Sequence, residues 1–270
     1  MKANTDLGDI QKTLLLPLWG RAVESKKREP ILIDKTAIEI MEQIEYDFNA
    51  FEGLSQISQF GWVVRSMIID EVIRQFILKY PKATIVDIGC GLDTTFDRID
   101  NGSIRWYDLD LPDTIELRRR FFKESERRKF ISSSFLDPDW INTLIVDDNI
   151  LFISAGVFYY FEKEQIKRFF ERVADKFPGS EMVFDASSPF GVKMANRMVI
   201  KNSGMDERSF LTWGIKRSED LGSWDNRIEI LREMPFFKNI RKRLPYKTRI
   251  QLFFSDMFRM QYMIHLKFKE

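Results

Sequence analysis

One stretch constrains this chain more than any other: Ala83-Thr84-Ile85-Val86-Asp87-Ile88-Gly89-Cys90-Gly91-Leu92-Asp93-Thr94. An apolar run that ends in an acid and then Gly-x-Gly reads as a buried strand whose C-terminal end offers bare backbone to a ligand. A second strand-like run, Ile104 to Asp110, follows; its Asp108 and Asp110 lie 17 and 19 residues after Gly91. A glycine-rich turn after one strand and an acid after the next is how a doubly wound sheet holds a nucleoside.

The surrounding texture agrees. Up to about Tyr80 the chain reads as a helical cap, with Ile68, Ile69, Val72, Ile73, Phe76, Ile77 and Tyr80 at helical spacing and Pro81 as a stop. Residues 81–187 alternate strand and helix. Strands are expected at Ala83–Ile88, Ile104–Leu109, Lys129–Phe135, Asn149–Val157 and Glu181–Ala186. Asp113 can cap a helix over Thr114–Glu124, and Glu162–Phe177 carries one apolar stripe. The alternation predicts an α/β fold, a mostly parallel sheet with helices on both faces. Residues 188–226 read as a lid-like insertion over the open end of the sheet. Its Phe190, Met194, Met198, Met205, Phe210, Trp213 and Trp224 are candidates for an apolar lid. The remainder, 227–270, reads as a helix over Arg227–Glu233 and a terminal antiparallel pair, Thr248–Phe254 with Met260–Phe268. All of this fits one domain.

Composition sets outer bounds. With 44% hydrophobic and 31% charged residues the chain suits a globular core. A net charge of +1 gives no global attraction for nucleic acid or membrane. The basic clusters Arg118-Arg119-Arg120, Arg127-Arg128-Lys129 and Arg241-Lys242-Arg243 read as solvated faces. One cysteine, Cys90, forms no internal disulfide and suits a reducing compartment. No signal peptide is recognised, and the longest apolar run, Ile150 to Phe161, is too short to span a bilayer. A cytoplasmic protein with no metal site is expected.

The glycine turn discriminates between cofactors. A dinucleotide fingerprint has a third glycine where this chain has Thr94. S-adenosylmethionine, which has no pyrophosphate, suits the pattern better: Asp87 precedes the first glycine, and Asp108 or Asp110 can accept from ribose hydroxyls.

These motifs, in this order, resemble a known family. Thr13 to Ser25 (TLLLPLWGRAVES), Gly61-Trp62-Val63-Val64-Arg65, Val86 to Thr94, Trp106-Tyr107-Asp108-Leu109-Asp110-Leu111-Pro112 and Glu116-Leu117-Arg118-Arg119 are similar to the leucine carboxyl methyltransferase-like group. They look most like its bacterial and archaeal branch of tetracenomycin-type polyketide O-methyltransferases. The resemblance implies a class I S-adenosylmethionine-dependent methyltransferase fold and O-methylation of a small molecule, a carboxylate or phenol of an aromatic or polyketide-like compound. By the same resemblance Arg65 would meet the cofactor carboxylate, Gly89 and Gly91 would underlie the methionine part, and Asp110 would bind the ribose beside Asp108. Ser134 and Phe135 would edge the adenine. Where the family has Ala-Glu-Gly-Val this chain has Ser154-Ala155-Gly156-Val157, so Ala155 stands in place of a glutamate. That departure keeps open a cofactor-binding protein without methyl transfer, and the broader family adds a protein carboxyl methyltransferase.

For the acceptor side, Tyr159 and Tyr160 follow the fourth strand, where open sheets bind ligands. Arg21 and Glu24 are expected as an internal pair or as site residues. His265, the single histidine, is a weak candidate base in a strand-like run. A shortage of bases favours a carboxylate acceptor, which is already ionised at neutral pH.

Overall fold

The computed structural model describes residues 9–51, 53, 56–197, 210–244 and 246–270. Three helices come first: α1 (Asp9–Ser25), α2 (Lys35–Gln43) and α3 (Gln56–Lys79). Asp34 starts α2 by accepting the Ala37 N–H at 2.9 Å. The seven strands are β1 (Thr84–Ile88), β2 (Arg105–Asp110), β3 (Arg128–Ser132), β4 (Ile150–Ser154), β5 (Glu181–Ala186), β6 (Ile228–Pro235) and β7 (Tyr262–Phe268). Between them lie α4 (Thr95–Ile99), α5 (Pro112–Arg118), α6 (Lys163–Lys176), α7 (Pro189–Ala195) and α8 (Tyr246–Met257).

The sheet order is β3-β2-β1-β4-β5-β7-β6. Strands β1 to β5 pair in parallel, and β7 is antiparallel to both β5 and β6. The order reverses between β1 and β4, which opens a crevice beyond their C-terminal ends. β1, β4 and β5 are buried along their whole length, as strands covered on both faces must be. One face packs Val86, Phe152 and Phe184 against α6, where Ile166, Phe169, Phe170 and Val173 form the inward stripe. The other packs Ile85, Leu151 and Val183 against Val72, Ile73 and Phe76 of α3.

The last part of the chain departs from the sequence reading. The expected helix Arg227–Glu233 is, from Ile228 on, strand, and Thr248–Phe254 lies inside α8, not in a strand. The terminal antiparallel pair is therefore β6 with β7, linked by residues 236–261. A register shift between Ile230 and Arg232 breaks the alternation of β6, so its period of two is hidden in the sequence. α5 starts at Pro112, with Asp113 inside its first turn, and stops at Arg118 rather than Glu124. The expected lid is also different. Trp213 and Trp224 are buried in the main core, 6.0 Å apart between ring centres, while Thr212 and Trp213 donate backbone N–H groups to the Tyr159 carbonyl. Phe190 is half exposed, and Met198 and Met205 lie outside the described residues.

Candidate active site

The turn after β1 is built from left-handed glycines, Gly89 at φ +67° and Gly91 at φ +45°. Both are also crowded. A Cβ on Gly89 would collide with Val157, and one on Gly91 would stand 2.9 Å from Leu14 Cδ2 of α1. The turn is therefore wedged between the end of β4 and the first helix. Gly89 and Cys90 donate their N–H groups to the Leu109 carbonyl, and Gly91 donates to Asp110 Oδ2 at 2.8 Å. Asp110 Oδ1 accepts from Leu111 N at 2.7 Å. The Asp110 carboxylate is thus fixed at the end of β2 by two backbone donors, with further lone pairs available.

Asp108, two residues earlier on the same strand, has a different environment. It is fully buried and takes Arg118 Nη2 and Trp106 Nε1 on one oxygen and Arg128 Nε on the other, each at 2.8 Å. Arg118 also donates to the Gly91 carbonyl at 2.8 Å. This carboxylate is consumed by two guanidiniums, which removes Asp108 from the candidate ribose ligands. The same contacts correct the reading of the basic clusters: Arg118 and Arg128 are buried, stacked on Phe122, and not solvated.

Asp87, at 3% exposure, has an Oδ2 atom with no hydrogen-bond partner. Burial, with the neighbouring carboxylates of Asp93 and Asp108, pushes its carboxyl well above the usual range. Burial likewise pushes the Cys90 thiol up, so it is no nucleophile at neutral pH.

Thr94, at the position that a dinucleotide fingerprint gives to glycine, donates its hydroxyl to Asp34 and receives a bond from Arg98 Nη1. Asp34 also takes Arg21 Nε and Arg98 Nη1 at 2.8 and 2.9 Å. Burial opposes ionisation there, but the two guanidiniums win and hold the Asp34 carboxyl below its usual range. Arg21 thus pairs with Asp34, not with Glu24, whose carboxylate meets Lys27 and the Ile31 N–H.

The second wall of the crevice is the end of β4. Gly156, at φ +78°, donates its N–H to Asp185 Oδ1 at 2.6 Å, and Asp185 Oδ2 pairs with Arg65 Nη1 at 2.8 Å. A Cβ on Gly156 would stand 2.6 Å from that guanidinium nitrogen. Burial acts against the Arg65 charge, yet Asp185 raises its pKa and keeps it protonated. The buried Tyr159 hydroxyl has no hydrogen-bond partner; burial and then the Asp185 charge push it well above its usual pKa, so it stays protonated. Tyr160 beside it is exposed. Ala155 is half-buried and packs with the aliphatic core around α3, offering no polar group. Asp185 carried no signal in the sequence, since an acid at the end of an apolar strand has no local pattern and its partner Arg65 is 120 residues away.

One expectation lies elsewhere. His265 pairs with Glu181 Oε2 at 2.8 Å, toward the start of β5 and away from the crevice. Phe135 is buried among Phe158, Phe161 and Phe169, its ring centre 4.6–5.6 Å from theirs, while Ser134 Oγ accepts from Leu136 N. One concavity, about 1040 Å³, does not open on the glycine turn; it runs between α3, the loop before α2 and residues 232–240. The chemistry points to the crevice instead, where the unpartnered oxygens of Asp87, Ser154 and Tyr159 lie on β1, β4 and the turn after β4. Among the described residues no cluster of His, Cys, Asp or Glu could hold a metal, and no helix is long and apolar enough to cross a membrane.

The profile of the leucine carboxyl methyltransferase family matches residues 15–174. The chain belongs to that family. It is an S-adenosylmethionine-dependent methyltransferase with the class I sheet. It is 28% identical over 219 residues to the tetracenomycin polyketide synthesis O-methyltransferase TcmP of Streptomyces glaucescens, covering 80% of this chain and 79% of that protein. An S-adenosyl-L-methionine-dependent methyltransferase of Gibberella zeae, dpfgK, is 28% identical over 217 residues, 72% of each chain. Among solved structures, one from Thermobifida fusca described as a candidate methyltransferase superposes with a TM-score of 0.59 at 12% identity, covering 93% of this chain and 94% of that one. A DUF574 family protein from Streptomyces avermitilis gives 0.58 at 10% identity, covering 93% and 97%.

The residues present fit S-adenosylmethionine. A buried, unpartnered Asp87 oxygen suits a cationic group, and a backbone-fixed Asp110 suits vicinal hydroxyls.

Proposed function

We propose that this enzyme transfers a methyl group to an oxygen of a small molecule, with a carboxylate of an aromatic or polyketide-like compound as the acceptor. The single observation that carries the cofactor side is the Gly91 N–H held on Asp110, which joins the glycine turn to the acid of the next strand. In this reading Asp110 accepts from the ribose, and Asp87 faces the positive end of the methionine part. Gly89 and Gly91 bring backbone close to the ligand, and Ser134 and Phe135 lie on the adenine side. Bound S-adenosylmethionine would supply an activated methyl on a sulfonium, so the protein's task is position and electrostatics.

The acceptor side supports a carboxylate. The one histidine is paired with Glu181 toward the far end of β5. Tyr159 is held in its protonated form and can donate a hydrogen bond, and Arg65, kept charged by Asp185, is left to the cofactor carboxylate. A carboxylate acceptor needs such a donor and no general base. The O-methyltransferase TcmP, among the relatives, favours oxygen as the acceptor atom.

Titration calorimetry with S-adenosylmethionine, S-adenosylhomocysteine and NAD tests the cofactor reading; tight binding of NAD alone overturns it. Turnover across a panel of aromatic acids and phenols tests the acceptor. Methylation of phenols with no acid turned over refutes the carboxylate, and cofactor binding without any turnover favours a binding protein lacking transfer.

A further inference from the structure

The near-neutral balance of the whole chain conceals a strongly basic segment. From Met234 to Ser255 there is no Asp or Glu, while Lys238, Arg241, Lys242, Arg243, Lys247 and Arg249 supply six positive charges. In the fold this segment runs into α8, and α8 leaves an apolar face uncovered by the described residues. Tyr246, Ile250, Phe253, Phe254, Met257 and Phe258 follow one another at helical spacing, and each is more than 40% exposed. Only Leu252 of the helix is buried, so α8 is anchored by one edge and presents the other. Phe190 of α7 extends the patch, 5.8 Å from Phe258 between ring centres. Lys238, Lys242, Lys247 and Arg249 are exposed around it. Lys238, Arg241, Lys242 and Arg249 line a shallow hollow together with Ile250, Phe253 and Phe254. Asp256, the acid of α8, turns inward to accept the Phe237 N–H, and its other oxygen lies 3.9 Å from Arg241 Nε, so one of the six charges is paired.

We propose that this face docks on an anionic lipid surface. Aromatic and aliphatic side chains on one side of a helix, rimmed by exposed Lys and Arg, match the acyl–headgroup boundary of such a surface. A second copy of the chain is a poorer occupant, because a two-fold interface through α8 would set the same basic rim against itself. The position of the face has a functional sense. Pro235 and Tyr262 pair beside Ala186, so residues 236–261 lie at the C-terminal edge of the sheet, where the crevice opens. Docking there would bring the mouth of the site close to the lipid, from which an apolar acceptor partitions.

The proposal does not rest on methyl transfer, since vesicle binding is measured without cofactor. The purified chain is co-sedimented with vesicles of phosphatidylcholine alone and of phosphatidylcholine with phosphatidylserine. Binding is expected only to the second, weakening with added salt. Lys238→Gln with Lys242→Gln should weaken it about fivefold per charge removed. Phe253→Ser with Phe254→Ser should weaken it by about tenfold or more, with unchanged circular dichroism because both rings are half exposed. Equal sedimentation with the two vesicle types, or indifference to both double variants, overturns the proposal. So does a chain that ignores vesicles but binds poly(U), or one that forms a dimer abolished by Phe253→Ser.

Discussion

Asp108 and Asp110 share a strand and a face, yet the structure assigns them to different jobs, and substitution separates the two. Asp108→Ala removes the one carboxylate between Arg118 and Arg128, leaving the buried Arg118 with the Gly91 carbonyl and Arg128 with a longer contact to Asp97. Breaking a buried ion pair from one side costs about 3–5 kcal/mol. At roughly 3 °C per kcal/mol for a chain of this size, the melting temperature should fall by roughly 10 °C. Asp110→Ala removes an acceptor for two backbone N–H groups at the partly exposed end of β2. Water replaces part of what is lost, so stability should drop by only about 1 kcal/mol. The same change removes the charge-assisted acceptor proposed for the ribose, worth about 1.5–3 kcal/mol, or about 10- to 150-fold in Kd. Thermal unfolding followed by circular dichroism, with calorimetry of S-adenosylmethionine on the folded variants, reads both quantities. An Asp108→Ala protein that melts like the parent but no longer binds cofactor would refute the division of labour.

Four further outcomes are expected. Asp185→Ala should cost about 3–5 kcal/mol by leaving the buried Arg65 unpaired, whereas Asp185→Asn, which keeps an acceptor for Gly156 N–H, should unfold later in a urea titration than the Ala variant. Because the Asp87 carboxyl is raised in the folded protein, the folded state holds its proton where the unfolded chain has lost it. Its contribution is therefore unaffected below the ordinary carboxyl pKa and turns destabilising as pH rises above it; the stability difference between wild type and Asp87→Asn, from denaturant titrations across pH, should move in that sense. Gly91→Ala forces a Cβ toward Leu14 at a left-handed φ and should destabilise by more than about 1 kcal/mol, visible in thermal unfolding. His265→Gln should leave kcat unchanged once a substrate is in hand, since the ring is bound to Glu181.

What could be read from residues alone follows from the range of the interactions involved. β1, β4, β5 and α6 were legible because burial on both faces, or along one stripe, writes itself into consecutive residues. β6 was not, because the shift at Ile230 scrambles its alternation, and α8 was misread because Ile250, Leu252 and Phe254 alternate by chance along a helix that buries only one of them. In the candidate site, Gly89, Gly91 and the acids of β1 and β2 stood out because one local turn brings them together. Depth along a strand did not: nothing near Asp108 says that Arg118 and Arg128 will close on it. Asp185 was invisible because its meaning depends on Arg65, which reaches it only through the completed fold.

The hydroxyl of Thr94 has a consequence for how such a turn can change over generations. It is shared by Asp34 and Arg98, and through Arg98 it reaches Asp70 on α3. Replacing Thr94 by the glycine that a dinucleotide site requires would leave those buried groups short of a partner, at about 1–3 kcal/mol. A lineage drifting toward pyrophosphate recognition would have to cross that loss before any new ligand could compensate for it. The first three helices, through this single hydroxyl, act as a ratchet that holds the chain to its present cofactor class.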